Sequence, residues 1–231
     1  MSQNILFKLN GVSKSFIKGG EKLSIFSNLD MTIENGDFVA IMGPSGSGKT
    51  TLLNMLGGVD KPTGGEIFFE NVRVENLSES QLTHWRARNI GFVFQFYNLM
   101  PMLNASRNVE LPLLLTNLSK EQRRRSVETA LVLMGLSDRA KHMPNEMSGG
   151  QQQRVAIARA IVSDPKLVLC DEPTGDLDRQ TADEILEMLQ LLNREHGKTI
   201  VMVTHDPAAA AYAKRTLHLD KGKFIQKELV V

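Results

Sequence analysis

One cysteine, Cys170, stands alone in 231 residues, so no internal disulfide can form and a reducing compartment is expected. Neither sign of charge predominates: 27 Lys and Arg face 26 Asp and Glu. That balance argues against electrostatic capture of nucleic acid or acidic lipid. No apolar run approaches the roughly 18 to 20 residues needed to span a bilayer. Met1-Ser2-Gln3-Asn4 lacks the basic, apolar-core pattern of a signal sequence. The expectation is a cytoplasmic chain that reaches a membrane only through a partner. Internal repeats, low-complexity segments and interdomain linkers are also missing. With 42% hydrophobic residues, the chain can bury the core of one domain spanning 1–231.

What the chain does have is Gly43-Pro44-Ser45-Gly46-Ser47-Gly48-Lys49-Thr50-Thr51. The apolar run Phe38–Met42 precedes it, and the helix-spaced Leu52, Leu53 and Leu56 follow. Strand, glycine-rich loop and helix in that order are the context a phosphate-binding loop requires. Gly43, Gly46 and Gly48 let the backbone turn so that several N–H groups point at one anion. The helix starting near Gly48 adds the positive end of its dipole. Lys49 is expected to reach the outer phosphates, and the Thr50 hydroxyl to ligate Mg²⁺. A nucleoside triphosphate is the expected ligand.

Around this loop the chain alternates. Ile5, Phe7 and Leu9 read as a half-buried strand, Lys18–Glu21 as a turn, and Leu23 to Ile33 as further alternating strand. Glu66–Val74 reads as one more strand, giving an antiparallel layer beside a nucleotide-binding core. Ser78 with Gln81, and Ser119 with Gln122, have capping-box spacing. Gly91–Gln95 reads as a buried strand ending in an amide. From 96 to about 165 the pattern is helical, an insertion between core segments of about 1–95 and 166–231. Leu167–Cys170 and Thr199–Val203 read as buried strands, ending at Asp171-Glu172 and at Thr204-His205. Strands alternating with helices imply an α/β fold with a mostly parallel sheet and ligands at its carboxyl edge. Gln95, Asp171, Glu172 and His205 all fall at that edge. His84, His142, His196 and His218 read as surface or packing residues, Arg123-Arg124-Arg125 as a solvated helix face, and Cys170 as a small buried apolar residue.

A second glycine-bearing stretch, Met147-Ser148-Gly149-Gly150-Gln151, precedes the apolar helix Val155–Ala160. Ser148 is placed to cap a helix whose first N–H groups, bare at Gly149 and Gly150, form a second anion site. One chain seldom needs two sites for one terminal phosphate, whereas two chains set head to tail would use both. With these residues the chain resembles the ATP-binding cassette (ABC) ATPases along nearly its whole length. Gly43 to Thr50 is similar to that family's Walker A loop, Gln95 to its Q-loop, and Leu167–Asp171 to its Walker B strand. Glu172 matches the catalytic carboxylate, Gly175–Asp178 the D-loop, and His205 the switch histidine. Met147–Gln151 resembles the signature, with Met in place of the usual Leu. Phe16 lies where the family has an aromatic, usually Tyr, that stacks on adenine.

The resemblance implies a P-loop core with an antiparallel layer and a helical subdomain. It implies ATP and Mg²⁺ as cofactors, with the metal held by Thr50 and Gln95 and, through water, by Asp171. Glu172 would polarise the attacking water, while Gln95 and His205 would contact the γ-phosphate. It further implies a homodimer sandwiching ATP, docked on an integral membrane permease. The stretches Leu56–Gly65, Phe94–Pro101, Asn108–Leu113 and Pro173–Asp178 are most similar to the lipoprotein-release and macrolide-export branch (LolD-like and MacB-like). Permeases of that branch carry a large extracytoplasmic domain. Gln151-Gln152 and Asp176 depart from the lipoprotein-release pattern, so an FtsE-like cell-division ATPase stays open. A soluble, non-transport ABC ATPase is the remaining alternative, although the long coiled-coil insertion or Cys motif expected of one is missing. Phe96–Leu103, rich in apolar residues for a loop, is expected to line a groove that receives a short permease helix.

Overall fold

The fold is taken from a computed structural model that describes residues 4–225. Met1–Gln3, read above as part of a leaderless start, and residues 226–231 lie outside the described residues. The first two strands, β1 (Ile5–Lys18) and β2 (Glu21–Glu34), form a long hairpin turned at Gly19-Gly20. With β4 (Gly64–Phe69) and β5 (Val72–Arg73) they make an antiparallel sheet in the order β2-β1-β4-β5. The stretch Glu66–Val74 is thus a hairpin rather than the single strand expected. Phe69 pairs with Val72 across a two-residue turn, and Glu70 takes φ 52 there. The polar pair Glu70-Asn71 interrupts the apolar run and leaves it able to turn.

The second sheet has the order β10-β9-β3-β8-β7-β6, from β3 (Phe38–Met42), β6 (Ile90–Phe94), β7 (Leu167–Asp171), β8 (Thr199–Val203), β9 (Arg215–Asp220) and β10 (Lys223–Ile225). All its pairings are parallel except β9 with β10. Its central strands are apolar at nearly every position because both faces are covered. Phe38, Ala40, Val168, Cys170, Ile200 and Met202 point to one core. Val39, Ile41, Leu167, Leu169, Val201 and Val203 point to the other. The two-residue period of a strand thus divides one sequence run between two hydrophobic layers.

Helix α1 (Lys49–Leu56) and the antiparallel sheet fill the second layer through Leu52, Leu53, Leu56, Phe7 and Leu9. The lone Trp85 of α2 (Glu79–Asn89) sits there edge-on to Phe7 and Phe69. The first layer is covered by α4 (Lys120–Leu133), α5 (Gly149–Ile161) and α6 (Arg179–Arg194), with the short α3 (Ala105–Glu110) and α7 (Pro207–Ala210). Between β6 and β7 every described element is helical. Both expected capping boxes form: Ser78 with Gln81, and Ser119 with Gln122. Burying each Leu or Val in these layers contributes roughly 1.5 to 3 kcal/mol.

One further expectation needs correction. Arg123 is not part of a solvated face. Its guanidinium reaches Glu110 at 3.1 Å and the Leu118 carbonyl at 2.9 Å, tying α4 to α3. Only Arg124 and Arg125 point outward, in pairs with Glu128 and Glu121 one turn away. In the loop after β6, Leu99 packs against the core, whereas Phe96, Met100 and Met102 are exposed. Helical and loop registers put neighbouring residues on opposite sides, and composition alone does not reveal that.

Candidate functional site

Strand β3 delivers the chain into the glycine loop, and α1 carries it away. Gly48 takes φ 101 at the start of α1, a conformation that a residue with a Cβ rarely adopts, and no side chain caps that helix. Gly43 lies so close to β9 that a Cβ there would sit 2.1 Å from the Leu219 carbonyl oxygen. The Lys49 ammonium is almost buried and donates to the carbonyls of Gly43 (2.8 Å) and Pro44 (3.0 Å). Loop and helix end together wall a cavity of about 760 Å³. Its other walls are Leu23 and Ile25 of β2, Glu172 and His205.

The carboxyl ends of β6, β7 and β8 bring the remaining polar groups to the same edge. The Thr50 hydroxyl donates a hydrogen bond to Asp171. Burial pushes the Asp171 carboxyl above the ordinary Asp range, with the neighbouring Glu172 adding to it, against the Thr50 bond and the Lys49 charge. Glu172 and His205 meet at 2.8 Å, between Oε2 of the carboxylate and Nδ1 of the imidazole. Gln95 shares a smaller cavity of about 270 Å³ with Thr50, Asp171 and Glu172. Its amide rests on Gly175, where a Cβ would come within 2.9 Å of Nε2. A hydroxyl, an amide oxygen and carboxylates are hard donors suited to Mg²⁺. Among the described residues no three of His, Cys, Asp and Glu cluster to hold a metal by themselves. A Mg²⁺ ion here would take phosphate oxygens and water for its other ligands, as that ion does.

Phe16 pairs directly with Leu23 across the first hairpin, so its ring lies on the face that borders the large cavity. The ring is half-exposed, and the Lys14 ammonium stands 4.7 Å from its centroid. Lys14 itself is held by Asp60 (2.5 Å) and the Lys61 carbonyl (2.8 Å). One ring face is therefore occupied by a fixed cation.

Ser148, Gly149, Gly150 and Gln151 do not join this cavity. Ser148 begins α5, and its hydroxyl accepts from Gln151 N at 3.3 Å while Gln151 Oε1 accepts from Ser148 N at 3.1 Å. Ser148, Gly150 and Gln151 open instead into a separate cavity of about 340 Å³ lined also by Arg139, Arg154 and Thr181. Sequence reasoning missed Leu23 and Ile25, although their alternation opposite Phe16 marks them. It also missed Tyr97, whose hydroxyl meets Asp176 at 3.4 Å and lies against Gly149. No periodic signal identifies that contact, because it joins two loops and a helix end. Of the remaining histidines, His84 hydrogen-bonds the Ser80 carbonyl and His142 meets Arg139, away from the cavity.

Comparisons with known proteins place the chain in a family. The ABC transporter family profile matches residues 26–175, more than half of the chain. The chain belongs to the ABC transporter family, as one of its ATP-binding cassettes. It is 46% identical over 227 residues to an uncharacterised ABC transporter ATP-binding protein, MJ0796, of Methanocaldococcus jannaschii, covering 96% of this chain and 97% of that one. The lipoprotein-releasing system ATP-binding protein LolD of Bordetella avium is 44% identical over 214 residues, 93% of either chain. The macrolide export ATP-binding/permease protein MacB of Escherichia coli is 44% identical over 220 residues, which are 95% of this chain and 34% of MacB. A dimeric structure of MJ0796 in a post-hydrolysis state, bound to ADP and Pi, superposes with a TM-score of 0.87 at 45% identity, over 96% of this chain and 97% of that one. The fold is that of the ABC ATPase, the chain fits the LolD-like and MacB-like group, and its activity is ATP hydrolysis. No helix among the described residues is long and apolar enough to cross a membrane.

Proposed function

We propose that two copies of this chain close on two Mg-ATP molecules and drive a separate integral membrane permease from its cytoplasmic face. The permease is of the lipoprotein-release or macrolide-export type, with a large extracytoplasmic domain. The observation that carries this reading is the separation of the two anion-binding helix ends, one in the cavity of Lys49 and one in that of Ser148. A single chain cannot bring both to one phosphate, whereas a head-to-tail pair can. The dimeric MJ0796 cassette bound to ADP and Pi supports the same arrangement.

In each half, the 43–51 loop binds the phosphates and Lys49 exchanges its carbonyl partners for them. Phe16 stacks on the base with the ring face that Lys14 leaves free. Thr50, Gln95 and, through water, Asp171 would hold Mg²⁺, which neutralises phosphate charge when bound. Glu172, oriented by His205, accepts a hydrogen bond from the attacking water and aims it at the γ-phosphorus. Ser148, Gly149, Gly150 and Gln151 of the facing chain complete the enclosure. The exposed Phe96, Met100 and Met102 offer the permease an adaptable apolar surface.

Glu172→Gln is the decisive variant. It should retain ATP but lose turnover at least about 100-fold, near 3 kcal/mol of barrier. Light scattering should then show it dimeric with ATP and monomeric with ADP, and adding Ser148→Arg should keep it monomeric. Near-normal turnover of Glu172→Gln, or ATP binding with no dimer, sinks the reading. Met102→Glu should leave the ATPase of the isolated chain unchanged and abolish co-purification with the permease.

A further inference from the structure

One turn into α5, Gln153 has no solvent exposure at all. Its Nε2 donates to two carbonyls from distant segments: Phe94 O at 3.3 Å, at the end of β6, and Pro173 O, just past the end of β7. Phe94 is the residue before Gln95, and Pro173 the residue after Glu172. Two carbonyls facing one end of the amide fix its orientation, since only the NH₂ group can donate to both. Oε1 is buried without a partner. An apolar side chain of the same length would avoid that cost, so packing alone does not account for a glutamine here.

The backbone it holds is strained. Glu172 has φ 48, although it carries a Cβ and precedes a proline, a context that favours extended conformations. Such a conformation persists only where surrounding bonds over-determine it. Three sets of bonds do so. Glu172 N donates to Val203 O at 2.9 Å, and Gly175 N donates to Glu172 O at 3.1 Å. The third is the bond that Gln153 of α5 makes to Pro173 O, in the peptide that follows the proline next to Glu172. The geometry points to Gln153 as a positioning residue: it locks Glu172 in the left-handed conformation that presents its carboxylate to His205 and the nucleotide cavity. By gripping Phe94 as well, it couples Gln95, Glu172 and the helix that starts at Ser148 into one rigid unit.

This inference rests on the reading of Glu172 as the water-polarising group, and the test separates the two. Gln153→Leu should lower kcat of the intact chain by about 10- to 100-fold while leaving KM for ATP within about 3-fold. In a Glu172→Gln background the same change should lower residual turnover by less than about 2-fold, because the group it positions is already disabled. Gln153→Glu keeps the shape and can donate only while its carboxyl is protonated. Its kcat relative to the unaltered chain should therefore rise as pH falls from 9 to 6. Unchanged kcat in Gln153→Leu, equal losses in kcat and ATP affinity, or full multiplicative loss in the double variant would overturn the inference. If Gln153→Leu does not fold, the pH ratio of Gln153→Glu decides alone, and a flat ratio overturns it. Should Glu172→Gln itself turn over normally, the fault lies with the proposed role of Glu172 rather than with Gln153.

Discussion

Two helices of this molecule begin at glycines near anion-sized cavities, and they begin in opposite ways. At α1 the cap is Gly48, with φ 101 and no side chain to satisfy the helix donors. At α5 the cap is Ser148, locked with Gln151 into a reciprocal pair of hydrogen bonds. The cations differ in the same sense. Lys49 rests on carbonyls of its own loop, and a phosphate can take their place. Arg154 and Arg139 near α5 are already paired with Glu184 and Asp138. The α1 end is thus poised to bind anions unaided, and the α5 end is nearly self-sufficient. In a dimer that difference sets an order: nucleotide first fills the α1 end, and the α5 end of a second chain adds to a phosphate already held.

The largest test of that contrast compares the two ends in nucleotide titrations of the isolated chain. Lys49→Ala should weaken ATP binding at least about 100-fold, near 3 kcal/mol, because a charge-assisted bond to phosphate is lost. Ser148→Ala should leave the same affinity within about 2-fold. Comparable losses at both positions would mean that one chain uses both ends on one ligand.

A second test moves from ligand to backbone. A Cβ at Gly48 would lie 2.8 Å from Ile25 and from the Phe26 ring, in a conformation that already disfavours it. Gly48→Ala should therefore destabilise the chain by about 2–4 kcal/mol in urea unfolding. At Gly149 the nearest obstacle is the Tyr97 hydroxyl, the far end of a side chain that can swing aside. Gly149→Ala should change stability by less than about 1 kcal/mol, since alanine also favours the helix. A large loss at Gly149 would show that the Tyr97–Asp176 contact fixes the α5 end more firmly than its cap does.

The two ends also differ in how far sequence revealed them. The α1 end was legible because strand, glycine spacing and helix are all local. Lys49, Thr50, Asp171 and Glu172 follow from runs a few residues long, and the parallel sheet follows from apolar strands such as Leu167–Cys170. The α5 end was legible as a cap at Ser148 but not as a closed box, although Ser148 and Gln151 have the spacing of Ser119 and Gln122. What stayed hidden depends on contacts between distant segments. Gln153 reaches Phe94 across 59 residues and Pro173 across 20. The left-handed turn at Glu172 comes from bonds to β8 and α5 and has no glycine to announce it. Arg123 looked like its neighbours because a three-residue run carries no phase, and only the packing of α3 on α4 picks it out.

The smallest expected effect separates a cap that only caps from one that also serves a ligand. The boxes at Ser119 and Ser148 have nearly the same geometry, with the serine oxygen 3.3 Å from the third helical N–H in each. Without nucleotide, Ser119→Ala and Ser148→Ala should each cost about 1 kcal/mol of stability, the ordinary value of such a cap. Made in the Glu172→Gln chain with saturating ATP, the two should part. Dimerisation adds stability by mass action, and only Ser148 lies where the facing nucleotide would sit. Ser119→Ala should keep the full ATP-induced rise in Tm, whereas Ser148→Ala should keep only part of it. An equal rise in both variants would show that Gly149 and Gly150 bind the facing phosphate through backbone N–H groups alone, leaving the serine a capping residue and nothing more.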